Sequence, residues 1–137
     1  MATKEKILMI SGKRKTSIAK ARVIPGNGKI IVNNISHTNL PMMHKLLIEE
    51  PIRIAKKTLK NIDFDVIIKI KGGGRESQIE AARLALAKAL VEKTKSQPLK
   101  KAFMEYDKHL LVADVRRKEA YKPGDSKARA KRQTSYR

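Results

Sequence analysis

A cluster of basic side chains near the N-terminus has the residue types and the spacing that suit phosphate binding. Lys13, Arg14 and Lys15 are followed by Lys20 and Arg22, which places five basic residues within ten positions. Clustered cations neutralise the phosphates of a polyanion and release its counterions. Charge runs are also common on faces that contact only water, so the cluster needs support from other segments.

A run of three glycines is the second candidate site. Gly72, Gly73 and Gly74 follow an alternating apolar pattern and precede a helical one, with Arg75 as the next residue. Glycine lets the backbone approach a phosphate closely, and a helix N-terminus presents free N–H groups. A tight strand-to-helix turn that requires glycine accounts for the same residues equally well. The P-loop and dinucleotide glycine motifs are absent, so the run does not indicate a nucleotide-dependent enzyme.

The C-terminal residues 116–137 form a third basic segment. They include nine Lys or Arg and two acidic residues, and they lack Ile, Leu, Val, Met and Phe. Because such a segment cannot bury enough apolar surface to offset its ordering entropy, we expect it to be disordered alone in water. It has no amphipathic apolar stripe, so its charge suits a phosphate backbone better than a lipid surface.

The overall composition agrees with a polyanionic partner. The chain has 137 residues, a formal charge of +19 and a pI near 10.4. A charge of this size indicates a protein that associates with nucleic acid rather than one that is merely basic. Aromatic residues make up only 4% of the chain and Trp is absent, which favours phosphate contact over base stacking.

Other chemistries have little support in the sequence. The absence of Cys excludes disulfides and thiolate metal sites and fits a reducing compartment. His37, His44 and His109 are too scattered for a metal site. Asp63 and Asp65 share a strand face but are better interpreted as partners of nearby Lys or Arg. We therefore expect no catalysis, no metal and no cofactor.

Apolar runs are short throughout the chain. The longest near the N-terminus, Ile7 to Ile10, is too short for the core of a signal peptide, and no stretch reaches membrane-spanning length. We expect a cytoplasmic protein without a membrane partner.

Four segments have the patterns of strands. The second and third are separated by Pro25-Gly26-Asn27-Gly28, a strong turn signal that predicts their antiparallel pairing. Gly12 is expected to end the first strand and to start a basic turn formed by Lys13, Arg14 and Lys15. The predicted strands are Ile7–Ser11, Ser17–Ile24, Lys29–Asn33 and Phe64–Lys71.

Helical patterns occupy most of the remaining chain. A short helix is predicted over Met42–Ile48, and a second one begins near Pro51, where a missing N–H is tolerated. A long helix runs from about Gln78 to Lys95, with Ser77 and Glu80 at capping-box spacing. Its buried face carries Ile79, Ala82, Leu86 and Leu90, and a last helix spans Leu99–Tyr106.

This order of elements predicts an α+β fold. The sheet is expected to be mostly antiparallel and four-stranded, with helices packed on one face. We expect a globular RNA-binding body over residues 1–115 and a long extended basic tail over residues 116–137.

Three sequence segments, in this order, resemble a known family over nearly the whole chain. The first is SGKRKTSIAKARVIPGNGKIIVNN, which is similar to a basic strand-turn-strand opening that ends in G-x-G and Asn. The second is GGGRESQIEAARLALAKAL, similar to a glycine turn and long helix. The third is LLVADVRRKEAYKPGDSKARAKRQTSYR, similar to a D-x-R-x-x-E-x-K-x-P-G closing segment. Together they resemble the universal small-ribosomal-subunit protein family number nine, with an ending of archaeal and eukaryotic type. Ser77 departs from the Gly of many members.

The resemblance implies a structural constituent of the head of the small ribosomal subunit. Its implied partners are ribosomal RNA, neighbouring ribosomal proteins of the subunit head and, through the C-terminal tail, transfer RNA in the P site. The implied tRNA-binding residues are Lys131, Arg132, Tyr136 and Arg137. The expected rRNA-binding residues are Lys13, Arg14, Lys15, Arg22, Gly72, Gly73, Gly74, Arg75, Arg116, Arg117, Lys118, Lys122, Lys127 and Arg129.

Two other functions compete with this interpretation. A free nucleic-acid-binding protein of chromatin or regulatory type would share the charge, but no groove-reading helix or dimer seam is recognisable. A phosphotransferase would use the glycine turn, but the lysine expected after the glycines is missing.

Overall fold

A computed structural model describes residues 7–123 and 127–130. This part of the chain folds into one sheet of five strands with three α-helices packed on one of its faces, so the predicted α+β class is confirmed. Two short 3₁₀ turns, His37–Asn39 and Lys108–Leu110, complete the regular structure. The strands are β1 (Leu8–Arg14), β2 (Ser17–Pro25), β3 (Ile30–Val32), β4 (Ile35–Ser36) and β5 (Phe64–Lys71), and the helices are α1 (Met42–Leu59), α2 (Arg75–Thr94) and α3 (Gln97–Tyr106).

The strand order is β1-β2-β5-β3-β4, so β5 lies in the centre of the sheet. The prediction that β2 and β3 pair with each other is wrong, because β5 lies between them, antiparallel to β2 and parallel to β3. The side chain of Asp65 attaches the connection between β2 and β3 to the sheet. Its Oδ1 accepts hydrogen bonds from the backbone N–H groups of Asn27 and Lys29, at 2.9 and 2.8 Å. The carboxylate therefore attaches the turn to β5 and does not serve a Lys or Arg side chain, as the sequence had indicated.

The fifth strand, β4, was not predicted and contains only two residues. It pairs with β3 around Asn33 and Asn34, whose φ angles of 46° and 67° are both positive. Asparagine tolerates this region better than most residues, and two such positions in succession form a tight hairpin turn. The side-chain Oδ1 of Asn33 also accepts a hydrogen bond from the Ile70 N–H at 2.9 Å, which ties the hairpin to β5.

The first strand continues through Gly12 to Arg14, contrary to the expectation that Gly12 ends it. Gly12 is needed because α2 crosses this point at close range. A Cβ atom there would lie 2.6 Å from the Ala81 carbonyl oxygen and 2.7 Å from the Ala85 nitrogen. The glycine thus permits contact between two backbones, which is a common reason for glycine inside a strand.

Helix α1 is continuous across Pro51, where the sequence predicted two helices. Proline removes one backbone hydrogen bond and normally kinks or ends a helix. Here Pro51 lies on the same buried face as Ile48, Ile52 and Ala55. The packing of that face against the rest of the helical layer keeps both halves in one helix.

Helix α2 forms the centre of the protein. Its contacts extend to β1, β2 and β5 on one side and to α1 and α3 on the other. The predicted buried residues are confirmed, and small side chains let the helix approach its neighbours closely. Its buried residues are Ile79, Ala81, Ala82, Leu84, Ala85, Leu86, Ala87, Ala89 and Leu90.

Candidate nucleic-acid interface

The β1–β2 turn and the glycine turn lie against each other at one end of the sheet. A Cβ atom at Gly72 would lie 2.6 Å from the Thr16 carbonyl oxygen. The fully buried Ser17 joins the two turns, because its Oγ donates to the Gly72 carbonyl at 2.9 Å and lies 2.8 Å from the Ser77 Oγ. The fold thus brings together two sites that are almost sixty residues apart in sequence.

Internal hydrogen bonds determine the shape of the glycine turn. Gly72 and Gly73 have φ angles of +79° and +68°, a region that favours glycine. A Cβ atom at Gly73 would lie 2.0 Å from the Ser17 Oγ and 2.7 Å from the Ser77 Oγ. Gly74 has open space around its Cα and acts as the N-cap of α2. Two of the three glycines are therefore required by the turn itself.

The capping arrangement differs from the predicted one. Helix α2 begins at Arg75, and Ser77 is its third residue. The Ser77 Oγ accepts a hydrogen bond from the Gly74 N–H at 3.1 Å, so this side chain reaches back to the N-cap. Glu80 does not contact the helix start and instead pairs with Arg14 at 2.5 Å. Arg75 is exposed at the N-terminus of α2, beside the glycine turn.

Strand alternation separates the three basic residues of the first cluster. Lys13 points to the outer face of the sheet and is exposed, and Lys15 is exposed in the turn with a φ of 52°. Arg14 points to the opposite face, where its guanidinium binds the carboxylates of Glu80 and Asp114. Only two members of the run are therefore available to an external anion.

Asp114 is the centre of a small ion-pair cluster at the start of the basic tail. It accepts hydrogen bonds from the side chain of Arg116 at 2.9 Å and from its backbone N–H at 2.9 Å, and it also binds Arg14. The bonds from Arg116, together with the charges of Arg116 and Arg14, hold the pKa of the Asp114 carboxyl well below its ordinary value. Hydrogen bonding to Glu80 raises the pKa of Arg14. The cluster thus fixes the root of the tail to β1.

A second ion-pair group joins the helices near this cluster. Arg83 on α2 binds Glu50 on α1 at 2.5 Å and Asp107, just after α3, at 3.2 Å. Burial raises the pKa of the Asp107 carboxyl, but hydrogen bonds from the His109 N–H and from Arg83 outweigh it and lower the pKa overall. These acids neutralise the two arginines on the helical side of the sheet, Arg14 and Arg83.

The segment after Leu110 has no helix or strand as far as Pro123, and its side chains are exposed from Val115 onward. Arg117 donates to the carbonyls of Asp114 and Arg116, while the ammonium of Lys118 lies 4.4 Å from the centre of the Tyr121 ring. Lys122 donates to the Ala130 carbonyl at 3.2 Å. Arg129 pairs with Glu119 at 3.0 Å, and Lys127 is exposed.

Four predicted tRNA-binding residues lie outside the described part of the chain. These residues are Lys131, Arg132, Tyr136 and Arg137. Their role stays a prediction, as does the division into a body over 1–115 and a tail over 116–137.

Arg22 is exposed on the outer face of β2, in line with its predicted availability. The same face carries Lys20, which belongs to the basic cluster found in the sequence, and two lysines of β5 that the sequence interpretation left out of the binding site. Lys20 lies directly opposite Lys69 in the β2–β5 register, and Lys71 lies two residues further along β5. The signal was present in the alternating pattern of β5, whose outward positions are basic at this end.

Two of the three candidate histidines have structural partners. The Nδ1 of His37 lies 3.3 Å from the Ile30 carbonyl oxygen, and His44 binds Glu76 at 2.9 Å. Across residues 7–123 and 127–130, no three His, Asp or Glu side chains are arranged to hold a metal ion. The helices of this same part of the chain are too short or too polar to cross a bilayer.

Comparison with known proteins agrees with the resemblance noted in the sequence. A family model described as ribosomal protein S9/S16 matches residues 12–137. Small ribosomal subunit protein uS9 of Methanococcus maripaludis is 46% identical over 135 residues, covering 96% of this chain and 99% of the relative. The protein of the same name from Methanothrix thermoacetophila is 41% identical over 133 residues, with the same coverage of both chains. From its first basic strand to its last arginine, the chain belongs to the ribosomal protein S9/S16 family.

Proposed function

We propose that this protein is built into the head of the small subunit of the cytoplasmic ribosome, where its body binds ribosomal RNA and its tail contacts P-site transfer RNA. Membership of the S9/S16 family gives it a structural, non-enzymatic role in the ribosome. The relatives are named as small-subunit proteins, which supports the choice of subunit. Neighbouring proteins of the head are the other expected partners.

The observation that carries the RNA-binding proposal is the convergence of exposed cations on the glycine turn. Lys13 and Lys15 come from the β1–β2 turn region, and Arg75 comes from the start of α2. The two turns touch through Thr16 and Gly72. An RNA backbone passing over this end of the sheet would meet three positive charges, and binding would release its counterions.

The other proposed rRNA contacts divide into three groups. Arg22 and Lys127 are exposed and available, as is the glycine backbone at 72–74. Arg14 and Arg116 are both bound to Asp114, so we assign them to positioning the root of the tail. The exposed tail residues Arg117, Lys118, Lys122 and Arg129 also have partners within the chain, and these contacts are weak enough to exchange for phosphate.

A salt titration tests the turn site. The full-length protein is mixed with protein-free small-subunit ribosomal RNA from Methanococcus maripaludis, and the affinity is measured over a range of salt concentrations. The Lys13→Thr/Lys15→Asn variant should lower the slope of log affinity against log salt by about one unit per lost phosphate contact. Asn is chosen for position 15 because it tolerates a positive φ.

The matched control removes two exposed lysines from α3. Lys100→Gln/Lys101→Gln changes the net charge equally but lies away from the turns. Its slope should equal that of the unchanged protein. Equal losses in both variants would reduce the proposal to non-specific charge, and absence of the protein from salt-washed small-subunit fractions would end it.

The tail is tested by deleting residues 131–137. Because this segment contains no Ile, Leu, Val, Met or Phe, the truncated protein should fold and enter small subunits normally. Transfer RNA should dissociate faster from the P site of those subunits, as measured by filter binding. A truncated protein that fails to fold would show that the segment belongs to the body.

A further inference from the structure

The outer face of the sheet has no covering layer in the described part of the chain. All three helices pack on the other side, and the inward positions of β2 and β5 are buried while Lys20, Arg22, Lys69 and Lys71 are exposed. Lys13 extends the same face on β1, in one row with Ile18 and Lys71. We call these five basic residues, Lys13, Lys20, Arg22, Lys69 and Lys71, the sheet-face cations.

The charges on this face are not neutralised internally. Among residues 7–123 and 127–130, none of the sheet-face cations forms an ion pair with a carboxylate. The acidic residue on the outward side of β5, Asp65, lies at the far end and is bonded to backbone N–H groups. Lys20 and Lys69 face each other directly across two strands, an arrangement that destabilises a sheet.

Two arginines on the helical side of the sheet differ from the sheet-face cations in having acidic partners. Arg14 and Arg83 each bind two carboxylates, so the protein has acids available and uses them on the helical side. A row of like charges left without acids on an open face therefore fits an external anion that offsets the repulsion when it binds. The partner must carry closely spaced negative charges.

The chemistry of the face selects phosphate contact over base recognition. None of its outward residues is aromatic, and the aromatic residue of β5, Phe64, is buried in the core. Without an aromatic side chain there is no stacking platform for unpaired bases. Lysines recognise phosphates as point charges, independent of base sequence.

We infer that the sheet-face cations, centred on Lys20 and Lys69, form a second RNA-backbone contact of the body, continuous with the turn site and built for structured RNA. The inference rests on the proposed function and extends it from one end of the sheet to its open face. A protein partner bound to the same face is the competing outcome.

The test uses the full-length Lys20→Thr/Lys69→Thr variant with the same Methanococcus ribosomal RNA. Threonine suits a strand, so the fold is retained. The slope of log affinity against log salt should fall by about two units.

A Lys20→Arg/Lys69→Arg variant should keep the original slope, and the Lys100→Gln/Lys101→Gln control should do the same. The melting temperature of the free Thr variant should be equal to or above that of the unchanged protein, because the repulsion is removed.

Each result separates the inference from the proposed function. If the turn variant loses slope but the Thr pair does not, the sheet face is not an RNA contact and the turn site stands. If the unchanged protein shows no salt-dependent binding, the proposed function itself fails. Chemical crosslinking of Lys20 or Lys69 to a protein in assembled subunits would assign the face to a protein partner and overturn the inference.

Discussion

At the scale of single residues, the direction of a side chain decides its role more than its charge does. Lys13 and Arg14 are adjacent in sequence, yet one faces solvent on the outer face and the other binds Glu80 and Asp114. Alternation along β1 causes this difference, because successive side chains point to opposite faces. A run of basic residues in a strand is therefore divided between the two faces of the sheet, where its members have different partners.

Replacing Arg14 tests this division of roles. In Arg14→Ala, the carboxylates of Glu80 and Asp114 lose a shared cation, so the melting temperature should fall by a few degrees. Lys13→Thr should leave the melting temperature nearly unchanged and weaken RNA binding instead. Calorimetry and the salt titration measure the two effects. Equal stability of both variants would show that Arg14 is not a positioning residue.

The depressed pKa values predict how stability changes in acid. Asp107 and Asp114 both have lowered pKa values in the folded protein. Their contribution is fully present above the unfolded Asp pKa of about 3.9 and is lost as the pH falls below it. The free energy of unfolding should therefore decrease from about pH 5 downward. In Asp107→Asn/Asp114→Asn, urea titrations should show a lower stability at neutral pH and a weaker acid dependence.

Sequence patterns identified the segments of the candidate site but not every residue that the fold brings to it. The basic turn, the glycine turn and Arg75 were all identified, and the fold brings their backbones together. Lys69 and Lys71 were missed because their alignment with Lys20, a member of the first basic cluster, depends on the β2–β5 register, which local patterns do not contain. Arg14 and Arg116 were assigned to rRNA binding, but both pair with acids: Arg14 binds Glu80 and Asp114, which are distant in sequence, and Arg116 also binds Asp114.

At the scale of elements, α2 determines what its neighbours can be. The helix lies close enough to β1 that Gly12 has no room for a side chain. Its own inward residues are largely alanine, which permits the same close approach to β2 and β5. The elements predicted most accurately were two strands with clear alternation: β5 matches its predicted bounds at both ends, and β2 ends one residue later than predicted.

Gly12→Ala measures the closeness of this contact. The new methyl group would overlap the backbone of Ala81 and Ala85, which cannot move without displacing the helix. We expect a loss of about 1–3 kcal/mol in the free energy of unfolding, measured with urea. Ser11→Ala, at the exposed neighbouring position, is the matched control and should change stability little. A neutral Gly12→Ala would mean that α2 shifts freely on the sheet.

Two element predictions failed because tertiary contacts outweighed local signals. Proline predicted a new helix at Pro51, but the shared buried face of α1 keeps a single helix. The turn after β2 predicted a simple hairpin, but the apolar β5 enters between β2 and β3. Hydrophobic alternation indicates that a strand will be buried on one face, but it does not indicate which strands lie beside it.

At the scale of the whole molecule, the distribution of charge separates a neutralised interior from a cationic exterior. The helical side pairs its arginines with Glu50, Glu80, Asp107 and Asp114. The turns, the sheet face and the tail root carry much of the net charge of +19. Self-repulsion of this size opposes compaction in the absence of a polyanion.

Added sodium chloride should therefore stabilise the free protein. Screening weakens repulsion between exposed cations more than attraction within partly buried pairs, so the melting temperature should rise between low salt and about 0.5 M. Differential scanning calorimetry of the full-length chain measures this shift. A melting temperature that falls with salt would mean that ion pairs dominate its electrostatics.

The central position of β5 also has a consequence for how the protein is made. Synthesis proceeds from the N-terminus, so β1 to β4 leave the translating ribosome before β5, the strand that joins β2 to β3. Until Lys71 has emerged, β2 lacks a partner on one side and β3 pairs only with the two residues of β4. The nascent chain thus presents unpaired strand edges for the time taken to add about thirty residues, an interval in which a chaperone would protect it from aggregation.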